Sequence, residues 1–374
     1  MQLCENCILS ENYPGIRFNS RGVCNFCEAY ENERQGSRPG NFSSEAEIIE
    51  ALERYRGIKR ADGKYDALVA LSGGVDSSFA LIRLVENYKL RPLAFHNDHG
   101  YENKVACENV RKLCEVLAVD LVIWQHDQAF MKKLWKYFNR AKVKHLSACH
   151  VCGNILYFNA LEMARRFDIP LVLNGYSKGQ AEMLQNRARA RELYVRMVDV
   201  LLASGDEAFT DAFNRKWELL DRQVIFRDRR DLEIPAGKDK ILVVPFFVFD
   251  FYKTDKEALK RECLRRFDWR APDITYPDRT LNCHMIWLNT WLDLKKNGYS
   301  LYHDEYAALV RAGELTRQQA LQDLAFNPPE GLIERLAREI GLDIEGIGAA
   351  GDLEAGEGRP AAKNLYRHDG EWGF

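Results

Sequence analysis

The sequence lacks an excess of charge of one sign and lacks any long apolar run. It has 53 lysine and arginine residues against 55 aspartate and glutamate residues, which gives a formal net charge of −2 at pH 7. This balance offers no general electrostatic argument for nucleic acid or an anionic membrane as a partner. No apolar run approaches the roughly 20 residues that span a bilayer. The opening MQLCENCILS has neither the basic nor the apolar part of a secretory signal. We therefore expect a cytoplasmic protein without a membrane partner.

The chain has the bulk of a globular protein and many cysteines. Its 374 residues are enough for two or three domains, and the 46% hydrophobic and 29% charged residues are ordinary values for a folded chain. It contains ten cysteines. Without a secretory signal, these are expected to be thiols or metal ligands rather than a disulfide framework.

Four cysteines near the start of the chain form the pattern C-x2-C-x16-C-x2-C. They are Cys4, Cys7, Cys24 and Cys27. Two pairs of thiolates at this spacing can close a tetrahedron around Zn²⁺. The segment between the pairs is too short for a core of its own, so the metal would supply its folding energy. Because all four corners are sulfur, the pattern predicts a structural zinc site.

A glycine- and serine-rich turn, SGGVDSS, follows the continuous apolar run DALVAL. It contains Ser72, Gly73, Gly74, Asp76, Ser77 and Ser78. The apolar run predicts a strand buried on both faces, and SSFALIRLV predicts a helix after the turn. Glycines permit a tight turn, and hydroxyl and backbone N–H groups at a helix N-terminus bind phosphate oxygens. The Gly-Lys-Ser/Thr ending of a Walker A loop is missing.

SGGVDSS resembles the PP-loop of the N-type ATP pyrophosphatases, which cleave ATP between the α and β phosphates. The resemblance implies that the loop holds the pyrophosphate of ATP and that a substrate oxygen is adenylated. It gives Asp76 a catalytic role in positioning Mg²⁺. It also implies that His96 and Asp98, in RPLAFHNDHGYEN, lie near the adenosine.

The segment IPLVLNGYSKGQAEM is similar to a later strand and loop of the same family, with Gly175 at the turn. It departs from the GH-x-x-D-D pattern of the thiolases because Tyr176, Ser177 and Lys178 follow the glycine. We expect Lys178 to contact ATP or a substrate phosphate and assign it a catalytic role.

Alternating strand and helix patterns predict an α/β fold with a doubly wound parallel sheet and the site at the carboxyl ends of its strands. The PP-loop resemblance implies that this sheet is HUP-like. LVIW, PLVLNG and ILVVPFF are further strand candidates. We expect a zinc-ribbon-like module at 1–36, a PP-loop domain at 37–254 and a helical C-terminal region at 255–345. The Gly/Ala-rich end at 346–374 is predicted to be a flexible tail.

Two more cysteines, Cys149 and Cys152, stand in SACHVCGN. From the residues alone they could form a redox dithiol, part of a zinc site, part of an iron–sulfur cluster or two inert buried thiols. The block CHVCGNILYFNALEMARRFDIPLVLNG resembles the CxxCG-helix-strand block of the iron–sulfur-dependent tRNA thiolases. In those enzymes the pair and one distant cysteine bind a [4Fe-4S] cluster, and one iron remains free to carry sulfide.

Cys283 is the candidate for the distant cysteine and for a catalytic role. Its neighbours in YPDRTLNCHMIWLN are polar beside an apolar helix, which favours the edge of a site. The other three, Cys107, Cys114 and Cys263, lie in apolar helical patterns typical of core positions. Three thiolates on a cuboidal cluster would leave one iron exchangeable.

Two functions compete. CENCILSENYPGIRFNSRGVCNFC and RAGELTRQQAL are similar to the N-acetyl sugar amidotransferases of surface-polysaccharide biosynthesis, which take ammonia from a separate glutaminase. The thiolase block instead implies sulfur insertion into tRNA or a small molecule, with a sulfur donor as partner. We favour ATP-dependent adenylation followed by sulfur insertion and retain the sugar amidotransferase as the alternative. A homodimer is compatible with both.

Overall fold

The computed structural model describes residues 2–34, 49–50, 53, 63–141, 143–176, 196–197, 199–221, 225–226, 232–236, 239–247, 256–271, 276–277 and 282–345. Lys178 and the tail predicted at 346–374 lie outside the described residues. None of the helices in the described part of the chain combines the length and the apolar character that crossing a bilayer requires.

The described residues form one seven-stranded sheet. Its strands are β1 (Ala67–Ala70), β2 (Pro92–Asp98), β3 (Leu121–Gln125), β4 (Leu171–Tyr176), β5 (Ile225–Phe226), β6 (Leu232–Ala236) and β7 (Asp239–Phe247). The order across the sheet is β3-β2-β1-β4-β7-β6-β5. Strands β1 to β4 and β7 pair in parallel, which confirms the predicted doubly wound sheet. Strands β5 and β6 add an antiparallel edge that was not predicted.

The central strand β1 is apolar throughout because both faces of the sheet are covered there. Leu68 of β1 belongs to one core cluster, whereas its neighbours Ala67 and Val69 belong to the other. Full burial of a leucine or valine side chain contributes about 1.5–3 kcal/mol. The continuous run DALVAL therefore has a direct structural cause.

Helices cover both faces of the sheet. They include α1 (Asn25–Arg34), α2 (Val75–Glu86), α3 (Lys104–Val116), α4 (Gln128–Arg140), α5 (Ala148–Arg166), α6 (Glu207–Asp221), α7 (Lys256–Phe267), α8 (Met285–Asn297), α9 (Leu301–Arg311), α10 (Arg317–Asp323) and α11 (Leu332–Glu339). Helices α2, α3 and α7 bury their apolar faces in one cluster. Helices α4, α5 and α8 to α11 share the other cluster with the N-terminal cysteines. The C-terminal helices are thus part of the same fold as the sheet.

Two capping boxes begin consecutive C-terminal helices. Ser300 and His303 form the box of α9, and Thr316 and Gln319 form that of α10. The N–H of Ser300 donates to His303 Nδ1 at 3.1 Å, so this nitrogen accepts and stays unprotonated in the folded chain. Burial lowers the pKa of His303 to about 4. The folded pKa lies below the unfolded value, so the stabilisation is complete above about pH 6.5 and is lost as the pH falls towards 4.

The substitution His303→Gln should therefore reduce the acid sensitivity of the fold. Glutamine keeps an acceptor at the third helical position, as Gln319 does in the neighbouring box, but does not titrate. We expect the loss of unfolding free energy between pH 7 and pH 5 to shrink by roughly 2 kcal/mol. Urea denaturation at the two pH values measures this, and equal losses in both proteins would contradict the assignment.

Candidate active site and metal centres

The SGGVDSS turn joins the carboxyl end of β1 to α2. Its hydroxyl groups hold the turn in shape: the Ser72 N–H donates to Ser77 Oγ at 3.3 Å, and the two side-chain oxygens are 3.1 Å apart. The Gly74 N–H donates to Ser72 Oγ at 3.3 Å. Gly74 is also the N-cap of α2 and offers no side chain to the N–H groups of the first turn. Such a helix terminus is suited to an anion.

Two of the three glycines singled out by the sequence, Gly73 and Gly175, lie where backbones approach closely. Gly73 has φ +81, and a Cβ there would lie 2.1 Å from the carbonyl oxygen of Ala106 on α3. A Cβ on Gly175, in β4, would lie 2.9 Å from the Cα of Ser77. The turn is therefore packed between α3 and the carboxyl end of β4, and only glycine leaves the required space.

Two side chains that sequence reasoning missed fix the turn from the third side. The carbonyl oxygen of Gly73 accepts from Trp269 Nε1 at 3.1 Å and from Asn109 Nδ2 at 3.3 Å. Asn109 Nδ2 also donates to the carbonyl of Arg270 at 2.9 Å. These residues are far apart in sequence and match no motif, so their role could not be predicted.

The substitution Gly73→Ala should displace the turn. We expect its unfolding free energy to fall by more than about 2 kcal/mol, because a left-handed backbone conformation and a backbone collision add together. Gly313→Ala is the matched control, since Gly313 has φ +76 but open space around its Cα. It should lose only about 1 kcal/mol. Equal losses in urea denaturation would contradict the close approach at Gly73.

The remaining loop residues lie on the first turn of α2. Asp76 is the acidic residue of that turn, and Ser78 is buried with 1% exposure. Ser78 Oγ has no hydrogen-bond partner among the described residues. A buried hydroxyl of this kind is unfavourable unless it is satisfied, and a bound anion would satisfy it.

The two residues expected near adenosine lie at the carboxyl end of β2. His96 is buried; its Nδ1 is 2.8 Å from the carbonyl oxygen of Leu71, and its Nε2 is 3.6 Å from Cys107 Sγ. Asp98 accepts from the N–H of Gly100 at 2.9 Å. His96 thus supports the end of β1 from within the protein, whereas Asp98 shapes the turn after β2. Their contact with adenosine stays a prediction.

Three cysteines were predicted to be core residues, and one of them is not buried in the structure. Cys114 and Cys263 are buried, which confirms the prediction for them. Cys107 is only partly buried, beside His96, so the core prediction is wrong for it. It occupies the first turn of α3, where the helix face points to the end of β2 rather than into the core.

Backbone pairing brings Cys283 to the end of β2. Residues 101–103 and 282–284 form a short antiparallel contact, in which Glu102 and Cys283 are direct partners. The N–H of Asn103 donates to the carbonyl of Asn282 at 2.9 Å. The N–H of His284 donates to the carbonyl of Tyr101 at 2.8 Å. Cys283 therefore stands at the carboxyl edge of the sheet.

Cys149 and Cys152 lie at the N-terminus of α5. Ser147 caps this helix, because its side chain accepts a hydrogen bond from the N–H of Cys149. Burial raises the pKa of Cys149 well above its usual value, and the charges of Asp293 and Cys283 add to the effect. Burial raises the pKa of Cys152 to about 12, with a further contribution from Cys283. Without metal these thiols are therefore protonated, and metal binding would release their protons.

A buried amide pair contacts the first of these thiols. Asn289 Nδ2, on α8, donates to Cys149 Sγ at 3.1 Å. Asn139 Nδ2, on α4, donates to Asn289 Oδ1 at 2.6 Å and fixes the orientation of that amide. Hydrogen bonds to a ligating sulfur adjust the charge it carries, as outer-shell partners do in metal sites.

The four N-terminal cysteines form a separate group that could hold a metal ion. Their sulfur atoms all lie within 4.8 Å of one another, and within the described ranges they are the only such group tight enough for a single ion. The N–H groups of Cys7 and Cys24 donate to Cys4 Sγ at 3.4 and 3.2 Å. From α10, Arg317 Nε donates to the carbonyls of Cys4 and Cys7 at 3.0 and 2.8 Å. The module is thus attached to the C-terminal helices.

The family comparison agrees with the loop and sheet just described. Residues 66–183 match the family model of the tRNA methyl transferase HUP domain. This segment is therefore similar to a HUP domain. A tRNA-specific 2-thiouridylase of Chloroflexus aurantiacus is 27% identical over 124 residues, which cover 30% of this chain and 34% of that enzyme. The match to the thiouridylase thus spans about a third of its length.

The similarity to two further proteins extends beyond residues 66–183. An uncharacterized protein of Methanocaldococcus jannaschii is 25% identical over 343 residues, which cover 91% of this chain and 99% of that protein. The structure of U34-tRNA thiolase NcsA from Methanococcus maripaludis with its [4Fe-4S] cluster has 14% identity and a TM-score of 0.35, over 96% of this chain and 94% of that one.

Proposed function

We propose that this protein adenylates an oxygen of a tRNA base with ATP and replaces that oxygen with sulfur, with the help of a [4Fe-4S] cluster. The observation that carries the proposal is the proximity of Cys283 to Cys149 and Cys152, whose pKa values it helps to raise, just beyond the carboxyl end of β2. The HUP match and the thiouridylase relative support tRNA as the substrate class. A cytoplasmic location belongs to the same proposal.

Helix α3 connects the two halves of the proposed site. Its N-cap, Asn103, pairs with the segment that carries Cys283. Ala106, three residues later, is the residue against which Gly73 of the loop packs. Three residues are less than one helical turn, or about 5 Å along the axis. The loop and the cysteines therefore contact the same end of one helix.

The proposed reaction has two displacements. The substrate oxygen attacks the α-phosphorus of ATP, and pyrophosphate leaves with Mg²⁺ that Asp76 helps to hold. A sulfur nucleophile then attacks the adjoining ring carbon, and AMP leaves with the original oxygen. The PP-loop N–H groups offset the charge of the pyrophosphate.

Cys149, Cys152 and Cys283 fit an iron–sulfur cluster better than a single metal ion. Three thiols converge there, yet among the described residues only the N-terminal set is tight enough for one ion. When bound, a cluster with three cysteine ligands supplies an iron at which sulfide can be held. The protein's own contribution is to keep the thiols buried and to donate from Asn289 to Cys149.

The N-terminal cysteines are proposed to hold one structural Zn²⁺. We expect about one zinc per chain both in the wild type and in the variant Cys149→Ala/Cys152→Ala, because the two sets of ligands are separate. Cys24→Ala should lose the metal. Metal analysis of the purified proteins measures this, and loss of zinc from the double variant would show that the ligands are wrongly divided.

An anaerobic activity assay tests the proposed function. The protein is purified without oxygen, its iron and acid-labile sulfide are measured, and it is incubated with ATP, Mg²⁺, sulfide and unmodified tRNA. We expect pyrophosphate, AMP and a thiolated nucleoside in the tRNA digest, detected by mass spectrometry. Pyrophosphate release without any cluster or thiolated product would overturn the sulfur step.

A sugar amidotransferase is the second candidate. The two segments that resemble those enzymes, the zinc module and the region of α10, contact each other through Arg317. In this case ammonia from a partner glutaminase would attack an adenylated acetamido group. The same assay with a nucleotide-linked N-acetyl sugar and ammonium in place of tRNA and sulfide distinguishes the two, because only one substrate should stimulate pyrophosphate release.

A further inference from the structure

Glu102 has a buried carboxylate of which only one oxygen is engaged. Its side chain is 6% exposed, and Oε1 lies 2.8 Å from Nε2 of the equally buried His99. The other oxygen, Oε2, is buried without a hydrogen-bond partner among the described residues. A buried carboxylate oxygen is unfavourable without a donor or a cation, so this atom indicates a ligand.

The position of Glu102 indicates which ligand. It is the direct backbone partner of Cys283. Its charge contributes, after burial and together with Cys283, to the raised pKa of Cys152. His99 lies close to Cys283. Burial alone would lower the pKa of His99, but Glu102 and Cys283 raise it well above its usual value. The carboxylate therefore belongs to the three-cysteine site.

The hydrogen bond from His99 fixes the carboxylate. Because Oε1 is held by the imidazole, the orientation of Oε2 is fixed as well. Carboxylates that bind metals are commonly held in this way by a second group. His99 thus acts as a positioning residue for Glu102.

We propose that Oε2 of Glu102 binds the iron that the three cysteines leave without a protein ligand. The inference rests on the proposed function. Carboxylate is a harder ligand for iron than thiolate and is more readily exchanged for a sulfur donor. Exchange for sulfide would break the Fe–O bond and form an Fe–S bond. Each ligand would keep its own electron pair, so the iron would not change oxidation state, and the freed carboxylate would keep its contact with His99.

The test compares Glu102→Gln with the wild type and with Glu115→Gln, a matched change at an exposed position of α3. Each protein is reconstituted anaerobically with iron and sulfide and then mildly oxidised. We expect the wild type and Glu115→Gln to keep their iron. Glu102→Gln should lose about one iron per cluster and show the electron paramagnetic resonance signal of a three-iron cluster. Equal iron loss and identical spectra in all three would overturn the inference.

Two controls keep the test decisive. Zinc content and the far-ultraviolet circular dichroism spectrum establish that Glu102→Gln is folded. If it is not, Mössbauer spectroscopy of the isotopically labelled wild type answers the question: one iron with the larger isomer shift of oxygen ligation supports the inference, and its absence overturns it. Failure of the wild type to form any cluster would instead contradict the proposed function.

Discussion

Replacing Asp76 with asparagine is expected to lower the rate of ATP-dependent pyrophosphate formation by at least about 100-fold. Asp76 occupies the first turn of α2, next to the N–H groups that the turn presents to an anion. A carboxylate there would repel the polyphosphate unless it held a cation, so its expected role is to bind Mg²⁺. Asparagine keeps the size of the side chain and loses the charge.

The matched control is Glu86→Gln, at the other end of the same helix. Glu86 is a partly exposed residue paired with Arg266, outside the loop. Loss of the Glu86 charge should leave the rate of pyrophosphate release within about twofold of the wild type. Circular dichroism and zinc content show whether both variants are folded. Near wild-type pyrophosphate release by Asp76→Asn would rule out the assignment of SGGVDSS as a nucleotide loop.

Replacing Cys283 with alanine is expected to abolish retention of the [4Fe-4S] cluster and, with it, the formation of thiolated product. Two thiolates from one turn of α5 hold a cuboidal cluster poorly, and Cys283 is the third thiol that the fold brings to them. Pyrophosphate formation should persist, because Cys283 takes part in none of the hydrogen bonds that hold the PP-loop in shape. The two activities should therefore separate.

Cys263→Ala is the control for this experiment. Cys263 is a buried thiol in the apolar cluster of α2, α3 and α7. It should keep the iron, the acid-labile sulfide and the electron paramagnetic resonance spectrum of the wild type after anaerobic reconstitution. An unaltered cluster in Cys283→Ala would remove that residue from the site.

Local sequence patterns predicted the parts of the molecule that local chemistry determines. The run DALVAL and the glycine turn after it encode a strand, a loop and a helix within a few residues, and the structure has them there. The four N-terminal cysteines converge because their spacing is short. Cys283 was also selected by its polar surroundings, although the pairing with Glu102 that positions it was not predictable.

Tertiary contacts determined the rest, and they leave little trace in a single sequence. Trp269 and Asn109 meet at the carbonyl of Gly73 through three different elements. In the sequence, His99 and Glu102 belong to a polar segment after a strand, and nothing there indicates that they form a buried pair. Cys107 shows the opposite error: its helical spacing predicts a core position, but it is only partly buried and lies beside His96.

The contact of Arg317 with the carbonyls of Cys4 and Cys7 has a consequence for the order of synthesis and folding. The bonded residues are 313 and 310 positions apart. The module can bind its metal soon after it leaves the ribosome, because all four sulfurs lie in the first part of the chain. It can dock only once α10, which carries Arg317, has been made. Contacts between residues so far apart in the chain form slowly, so we expect docking of the module onto α10 to be a late step of folding.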